Sequence, residues 1–285
     1  MVRDLGLTSK DHILVAHPFD GLVLAPLIQK LAGCRFTVLV HDLHADSLER
    51  PEIQAGMAAA SSVLCVSDAL ADAVHPFNSH SDVLLPSPGE PMGLAPTFSR
   101  KPLALAGGFN DQYLALASKL REPIIAIGEN PGGNYPTATF VPRFAENDDA
   151  VRFVSTNCSA VVVIVPHEHG EYASHSFPSK LLDFARCGLP MVIIAPPDSP
   201  VGRWAAQNKW CLLITDEDDD AGFLEVSKAL AAEQTWLAAQ CEVLQAAEGP
   251  LSAAEIHAKL LKSINSASDS VDLHREFVSA VAELA

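Results

Sequence analysis

The stretch "PHEHGEYASHSFPSK", residues 166–180, sets three histidines and two glutamates within ten positions and then runs into what reads as the start of a helix. Three kinds of chemistry fit these residue types. Imidazoles can hold a metal ion, a helix start can bind an anion through its N–H groups and dipole, or the loop is simply polar and solvated. For a metal, "HEHGE" lacks the H-E-x-x-H spacing that sets two histidines on one helix face, and nothing at a distance supplies a further ligand to His167, His169 and His175. For an anion, His175, Ser176 and Ser179 crowd the start of "FPSKLLDFARCG". That helix has Pro178 early and Gly188 at its end, with Leu181, Leu182, Phe184 and Ala185 on its sheet face. These residues favour an anion-binding loop that receives a phosphorylated substrate.

The stretch follows "SAVVVIV", which puts it at the carboxyl end of a buried strand, where open α/β sheets bind ligands. Similar apolar runs recur along the chain: "HILVA" (12–16), "FTVLV" (36–40), "VLCV" (63–66), "DVLL" (82–85), "LALA" (103–106), "PIIAIG" (123–128), "ATFV" (138–141), "AVVVIV" (160–165), "PMVII" (190–194) and "CLLIT" (211–215). Amphipathic stretches alternate with them, among them "PEIQAGMAAA" with Pro51 in its first turn and "DALADAV" behind a Ser67 cap. Strands that are apolar without alternation are buried on both faces, as in a parallel sheet covered by helices. The fold class is α/β.

The Pro- and Gly-rich segment "LPSPGEPMGLAPTFSRKP" (85–102) interrupts this rhythm and predicts a boundary near residue 95, giving domains 1–95 and 96–285. After Thr215 the pattern is helical only, near 221–232, 234–247, 251–264 and 271–284. The acidic "TDEDDD" contains D-x-D, a metal and nucleotide-sugar motif elsewhere, but its place before Ala221 predicts a solvated helix cap.

Composition narrows the partners. With 285 residues, 48% of them apolar, the chain can bury a large core. A formal charge of −16 opposes nucleic acid and anionic lipid surfaces. Cys34, Cys65, Cys158, Cys187, Cys211 and Cys241 form no C-x-x-C pair and read as buried free thiols. The N-terminal "MVRDLGLTSKDH" has no apolar signal core, and no segment approaches the ~20 apolar residues of a membrane span. A reducing cytoplasm is the expected location.

"SFPSKLLDFARCGLPMVII" resembles the donor-binding segment of the retaining GT-B glycosyltransferases (group 1, family 4-like), which show P-x-K-x-x-E on a helix followed by C-G-x-P-V and a strand. "IIAIGENPGG", "TVLVHDLHADS" and "SSVLCVSDALADAV" resemble further segments of that family, over residues 12–215. The resemblance implies two Rossmann-like parallel-sheet domains facing a cleft, and a nucleotide-sugar donor with neither metal nor other cofactor. It puts Asp183 at the family glutamate that holds the ribose, Lys180 at the motif lysine, and His175 at the family's first glutamate. It also puts His41 where a family histidine faces the transferred sugar; a strand-end histidine making a local bond is the alternative. His41 and His175 are the expected catalytic contacts. Gly108, Asn110, Gly128, Glu129, Ser176, Ser179, Lys180 and Asp183 are the expected donor-binding residues.

Two departures shape the expectation. The family's G-R-x-x-x-x-K-G segment carries cations for the diphosphate, whereas "LALAGGFNDQYLALASKL" offers Gly107, Gly108 and Asn110 with neither. The first domain is short, and the family's opening strand is missing. The expected activity is metal-independent retaining transfer from a nucleotide sugar to an unknown acceptor. A non-catalytic relative that binds a sugar nucleotide or a partner chain is the alternative, and a metal-dependent hydrolase using the histidine loop is the third. Since only eleven residues precede His12, the strand 12–16 is also expected to form a sheet edge covered by a second copy or by a partner chain.

Overall fold

A computed structural model describes residues 6–17, 21–41, 45–86, 88–89, 92–106, 110–167, 175 and 177–265. Contacts group the chain into two compact units, residues 1–86 with 254–285, and residues 87–253.

The first unit is built on β1 (His12–His17), β2 (Arg35–Val40), β3 (Ser62–Cys65) and β4 (Ser81–Val83), an all-parallel sheet in sequence order. The crossovers are α1 (Gly21–Ala32), the short α2 (Ala45–Leu48) with α3 (Pro51–Ala59), and α4 (Asp68–Val74). Local chemistry sets their ends: Pro51 opens α3, and the Ser67 side chain caps α4 by accepting from Leu70 N–H at 3.2 Å. Pro26 lies inside α1 and cannot donate to the carbonyl of Leu22. That carbonyl abuts Gly56 of α3, where a Cβ would stand 2.7 Å from it, so the two helices approach through a glycine.

The second unit is a six-stranded parallel sheet in the order β10-β9-β8-β5-β6-β7. Its strands are β5 (Leu103–Ala106), β6 (Ile124–Ile127), β7 (Ala138–Val141), β8 (Ala160–Ile164), β9 (Met191–Ile194) and β10 (Leu213–Ile214). Helices α5 (Asp111–Ser118), α6 (Asn147–Asn157), α7 (Ser179–Ala185) and α8 (Pro200–Gln207) connect them, and α9 (Asp220–Ala231) and α10 (Glu233–Glu248) follow. Every residue of β8 and β9 is buried, as their unbroken apolar runs demand. Trp236 and Trp210 are buried beside them with their indole N–H groups satisfied by the carbonyls of Ser159 (2.7 Å) and Met191 (2.8 Å). The winding runs from β5 out to β7, then returns to β8 on the other side of β5 and continues to β10. The sheet thus changes direction between β5 and β8.

The chain divides earlier than residue 95, because the later part of the Pro-rich segment is fastened to the second unit. Phe98 stacks edge-on against Trp236 at 5.8 Å, Gln240 donates to the carbonyl of Pro96 at 2.7 Å, and the carbonyl of Leu94 abuts Gly188. The helical tail does not all stay with the second unit either. The last described helix, α11 (253–265), groups with the first unit, where Lys259 pairs with Asp82 at 3.5 Å and Ser263 reaches Ser62 at 3.4 Å. The helix expected at 271–284 lies outside the described residues. Cys34, Cys65, Cys158 and Cys187 are buried free thiols, whereas Cys211 and Cys241 are exposed.

Candidate functional site

In an open parallel sheet the ligand crevice forms at the carboxyl ends of the strands on either side of the direction change, here β5 and β8. The loop after β5 includes Gly107 and Gly108, which lie outside the described residues. Its last residue, Asn110, caps α5, its side-chain oxygen accepting from the N–H groups of Gln112 (3.0 Å) and Tyr113 (3.3 Å). The expected donor contact is thus already a helix cap.

Next to it, β6 is followed by Gly128, whose N–H donates to the Val141 carbonyl at 2.8 Å and holds the strand end against β7. Glu129 beyond it is exposed. The turn that follows wraps Tyr135: Gly133 lies against its ring, and its hydroxyl donates to Asp111 in the first turn of α5. The loops after β5 and β6 are tied together by that bond.

The loop after β8 is anchored at its start. The N–H of His167 donates to the Glu217 carboxylate at 2.7 Å, and the Glu217 carbonyl accepts from Lys119 Nζ at 2.6 Å. The acidic run was expected to be solvated and to cap a helix. Asp219 does cap α9, accepting from Gly222 N–H at 3.0 Å, but Glu217 also fastens the histidine loop. Residues 168–174, with His169, and Ser176 lie outside the described residues. Among the described residues no group of three His, Cys, Asp or Glu is arranged to hold a metal ion.

Beyond the loop, Phe177 is buried edge-on against Trp204 and seats the start of α7. Pro178 is the residue before the helix rather than inside it, and Ser179 is exposed. With seven residues α7 is too short for its dipole to carry phosphate binding, so side chains must supply the charge. Lys180 is half-buried; burial, and secondarily the Arg143 guanidinium, push its amine below the ordinary lysine value. Asp183, one turn on, is half-buried as well. Burial pushes its carboxyl up, against a hydrogen bond from Asn147 and the positive charge of Arg186, while Asp148 adds to the rise. Arg186 is buried and pairs with Asp148 at 2.7 Å. His175 is half-buried just before this helix. His41 belongs to the first unit, where it is exposed directly after β2.

Arg143 and Asn147 were not among the sequence candidates. Both lie in or next to the loop from β7 to α6, and the sign of Arg143 was visible: a lone cation right after the strand "ATFV". What the sequence does not display is that this loop comes up beside α7.

No protein-family model matches the sequence, and no curated protein is significantly similar to it. Solved structures are similar in fold. Anabaena Alr3699/HepE, solved with UDP-glucose, aligns with a TM-score of 0.59 and 13% identity over 89% of this chain and 78% of that one. A glycosyltransferase from Rickettsia africae aligns with a TM-score of 0.60 and 9% identity over 93% and 78%. An α,α-trehalose-phosphate synthase (UDP-forming) from Burkholderia xenovorans, solved with glucose-6-phosphate, aligns with 0.62 and 10% over 92% and 75%. At such identities the likeness shows the fold alone: the two parallel-sheet units take the GT-B fold, with four strands in the first among the described residues. Among the described residues no helix is long and apolar enough to cross a membrane.

Proposed function

We propose that the chain binds a nucleotide-activated sugar on its second unit and transfers the sugar to an acceptor, with retention of configuration and without a metal ion. The observation that carries this reading is the pair Lys180 and Asp183. They stand at one-turn spacing on α7, beside the direction change of the sheet, with burial opposing the charge of each. Ionisable groups perturbed by burial beside a ligand crevice are candidates for a functional site. In this reading the ribose hydroxyls donate to Asp183, and Asn147 holds that carboxylate in place. Lys180 and Arg143 supply the charge for the diphosphate that the loop after β5 lacks.

His175 and His41 keep the roles that the family resemblance gives them, as contacts for the transferred sugar. In the step itself the bond from the anomeric carbon to the diphosphate oxygen breaks. The acceptor oxygen bonds to the same face of that carbon, and its proton passes to the leaving oxygen. Stabilising the leaving group supplies the rate, so no protein nucleophile is required. That similar folds were solved with UDP-glucose, or are named UDP-forming synthases, supports the substrate class.

The test is a thermal-shift panel of UDP, GDP, ADP and CMP sugars. One conjugate should stabilise the protein by ~2.7 kcal/mol at ~100 times its dissociation constant; a flat panel ends the reading. A second reading, a sugar-nucleotide binder without turnover, is favoured by "AGGFN" at residues 106–110, which carries no cation. Release of free nucleotide that depends on an added acceptor would decide for transfer.

A further inference from the structure

Eight large apolar side chains are exposed among the described residues, and five of them stand at one corner of the first unit: Leu14 on β1, and Val23, Leu24, Leu27 and Leu31 on α1. They occupy two faces of the sheet. Val15 is 6% exposed and its Cγ1 lies 3.2 Å from where a Cβ on Gly21 would stand, so Val15 faces α1. By strand alternation Leu14 faces the opposite side, where it is 46% exposed. On α1, Leu22 and Ala25 are buried, with Leu22 against Gly56 of α3, which leaves Leu24, Ile28 and Leu31 on the flank turned away from α3. What the two faces share is the edge, because β1 is the end strand and pairs with β2 alone among the described residues. A ligand lying on one face would cover one set and leave the other. A strand added at the edge reaches both.

We propose that the occupant is a second copy of this chain, its β1 antiparallel to the first across a two-fold axis normal to the sheet. That operation keeps each face on its own side, so α1 meets α1 and Leu14 meets Leu14. The register that sets Leu14 opposite Leu14 also pairs Ile13 with Val15 and His12 with Ala16. It brings the two leucines to the ~5 Å Cβ spacing at which cross-strand pairs stabilise a sheet. Two four-stranded sheets become one of eight.

Charge permits the contact. Residues 6–40 hold three cations, Lys10, Lys30 and Arg35, against two acids, Asp11 and Asp20, while the whole chain has 35 acids against 19 cations. The self-repulsion of the chain sits elsewhere. A six-residue edge is about 20 Å long, and the sheet and helix layers together stand about 20 Å high, a footprint of roughly 400 Å² per partner, which is that of a small interface.

The experiment is sedimentation equilibrium of the full chain across micromolar concentrations, with Leu31→Glu and Leu14→Cys variants. Val15→Lys is unsuitable, since it would disturb the packing of α1 with or without a second copy. The wild type should approach twice 30.3 kDa, and Leu31→Glu should raise the dissociation constant at least about tenfold. In a background with the exposed Cys211 and Cys241 changed to serine, mild oxidation of the Leu14→Cys variant should link residue 14 to residue 14 of the second copy, seen by mass spectrometry. Both positions are exposed, and circular dichroism checks that the fold survives. A wild type that stays monomeric overturns the proposal, and so does a dimer indifferent to Leu31→Glu that forms no such link. A monomer that cosediments with phosphatidylcholine vesicles would make lipid the occupant and overturn it equally.

Discussion

Lys180 and Asp183 sit three residues apart on one side of α7, and burial moves them in opposite senses: the amine is pushed down and the carboxyl up. Each is thereby poised to gain from a ligand group of complementary charge or hydrogen-bonding capacity that replaces lost water.

For the phosphates the expectation is selective. Lys180→Met and Arg143→Met should each weaken binding of the nucleoside diphosphate whose sugar conjugate stabilises the protein most by about tenfold, ~1.4 kcal/mol, and leave the bare nucleoside nearly unaffected. Arg143 is exposed and its share should fade in high salt, while that of half-buried Lys180 should persist. Isothermal calorimetry at two salt concentrations checks this; equal losses for the bare nucleoside would place these cations away from the diphosphate.

Asp183 makes a pH-dependent prediction. Folding raises its carboxyl pKa, so the folded chain holds the proton more tightly than the unfolded one. Its contribution to stability is complete below the unfolded value near 3.8 and declines as pH rises through the raised folded value. Asp183→Asn removes that loss. The melting temperature of the variant relative to wild type should be unchanged below the unfolded value and higher at neutral pH. A variant less stable at neutral pH would mean that Asn147 and Arg186 outweigh burial.

The histidine loop should be dispensable for metal. His167→Ala combined with His169→Ala should alter neither metal content nor stability appreciably, because the His167 backbone rather than its exposed ring is what the fold uses. Elemental analysis of protein purified without added metal is the check. Near-stoichiometric zinc, lost in the double variant, would revive hydrolytic metal chemistry.

Gly188 closes α7 at φ 65°, and a Cβ there would stand 2.5 Å from the Leu94 carbonyl oxygen. Gly188→Ala should therefore cost about 2–4 kcal/mol, combining backbone strain with a clash that backbone must relieve. Denaturant unfolding measures it; a loss below about 1 kcal/mol would show that the Leu94 segment yields freely.

Much of the second unit is legible in residue order. "AVVVIV" and "PMVII" announce β8 and β9 because a strand buried on both faces needs no polar residue, and "SKLLDFARCG" shows its apolar stripe and terminal glycine. Distant contacts are not written there. Leu94 and Phe98 look like any residues of a Pro-rich loop until Gly188 and Trp236 receive them, so the division of the chain was misplaced. Nothing in "EIHAKLLKSIN" foretells that Lys259 finds Asp82 rather than the helices just before it. Arg143 and Asn147 were missed for the same reason, since the order of strands decides which loops are neighbours.

A nucleotide sugar that rests its ribose on Asp183 couples the ribose hydroxyls to that carboxylate in binding. Calorimetry with the most stabilising nucleotide sugar, and with its 2′- and 3′-deoxyribose analogues, tests this directly on wild type and Asp183→Ala. Wild type should lose about tenfold for each missing hydroxyl, and Asp183→Ala should lose at least as much for the parent ligand. The variant should then be indifferent to the deoxy changes, its circular dichroism unaltered. Equal affinity of both proteins for the parent ligand, or the same sensitivity to deoxygenation in each, would contradict it.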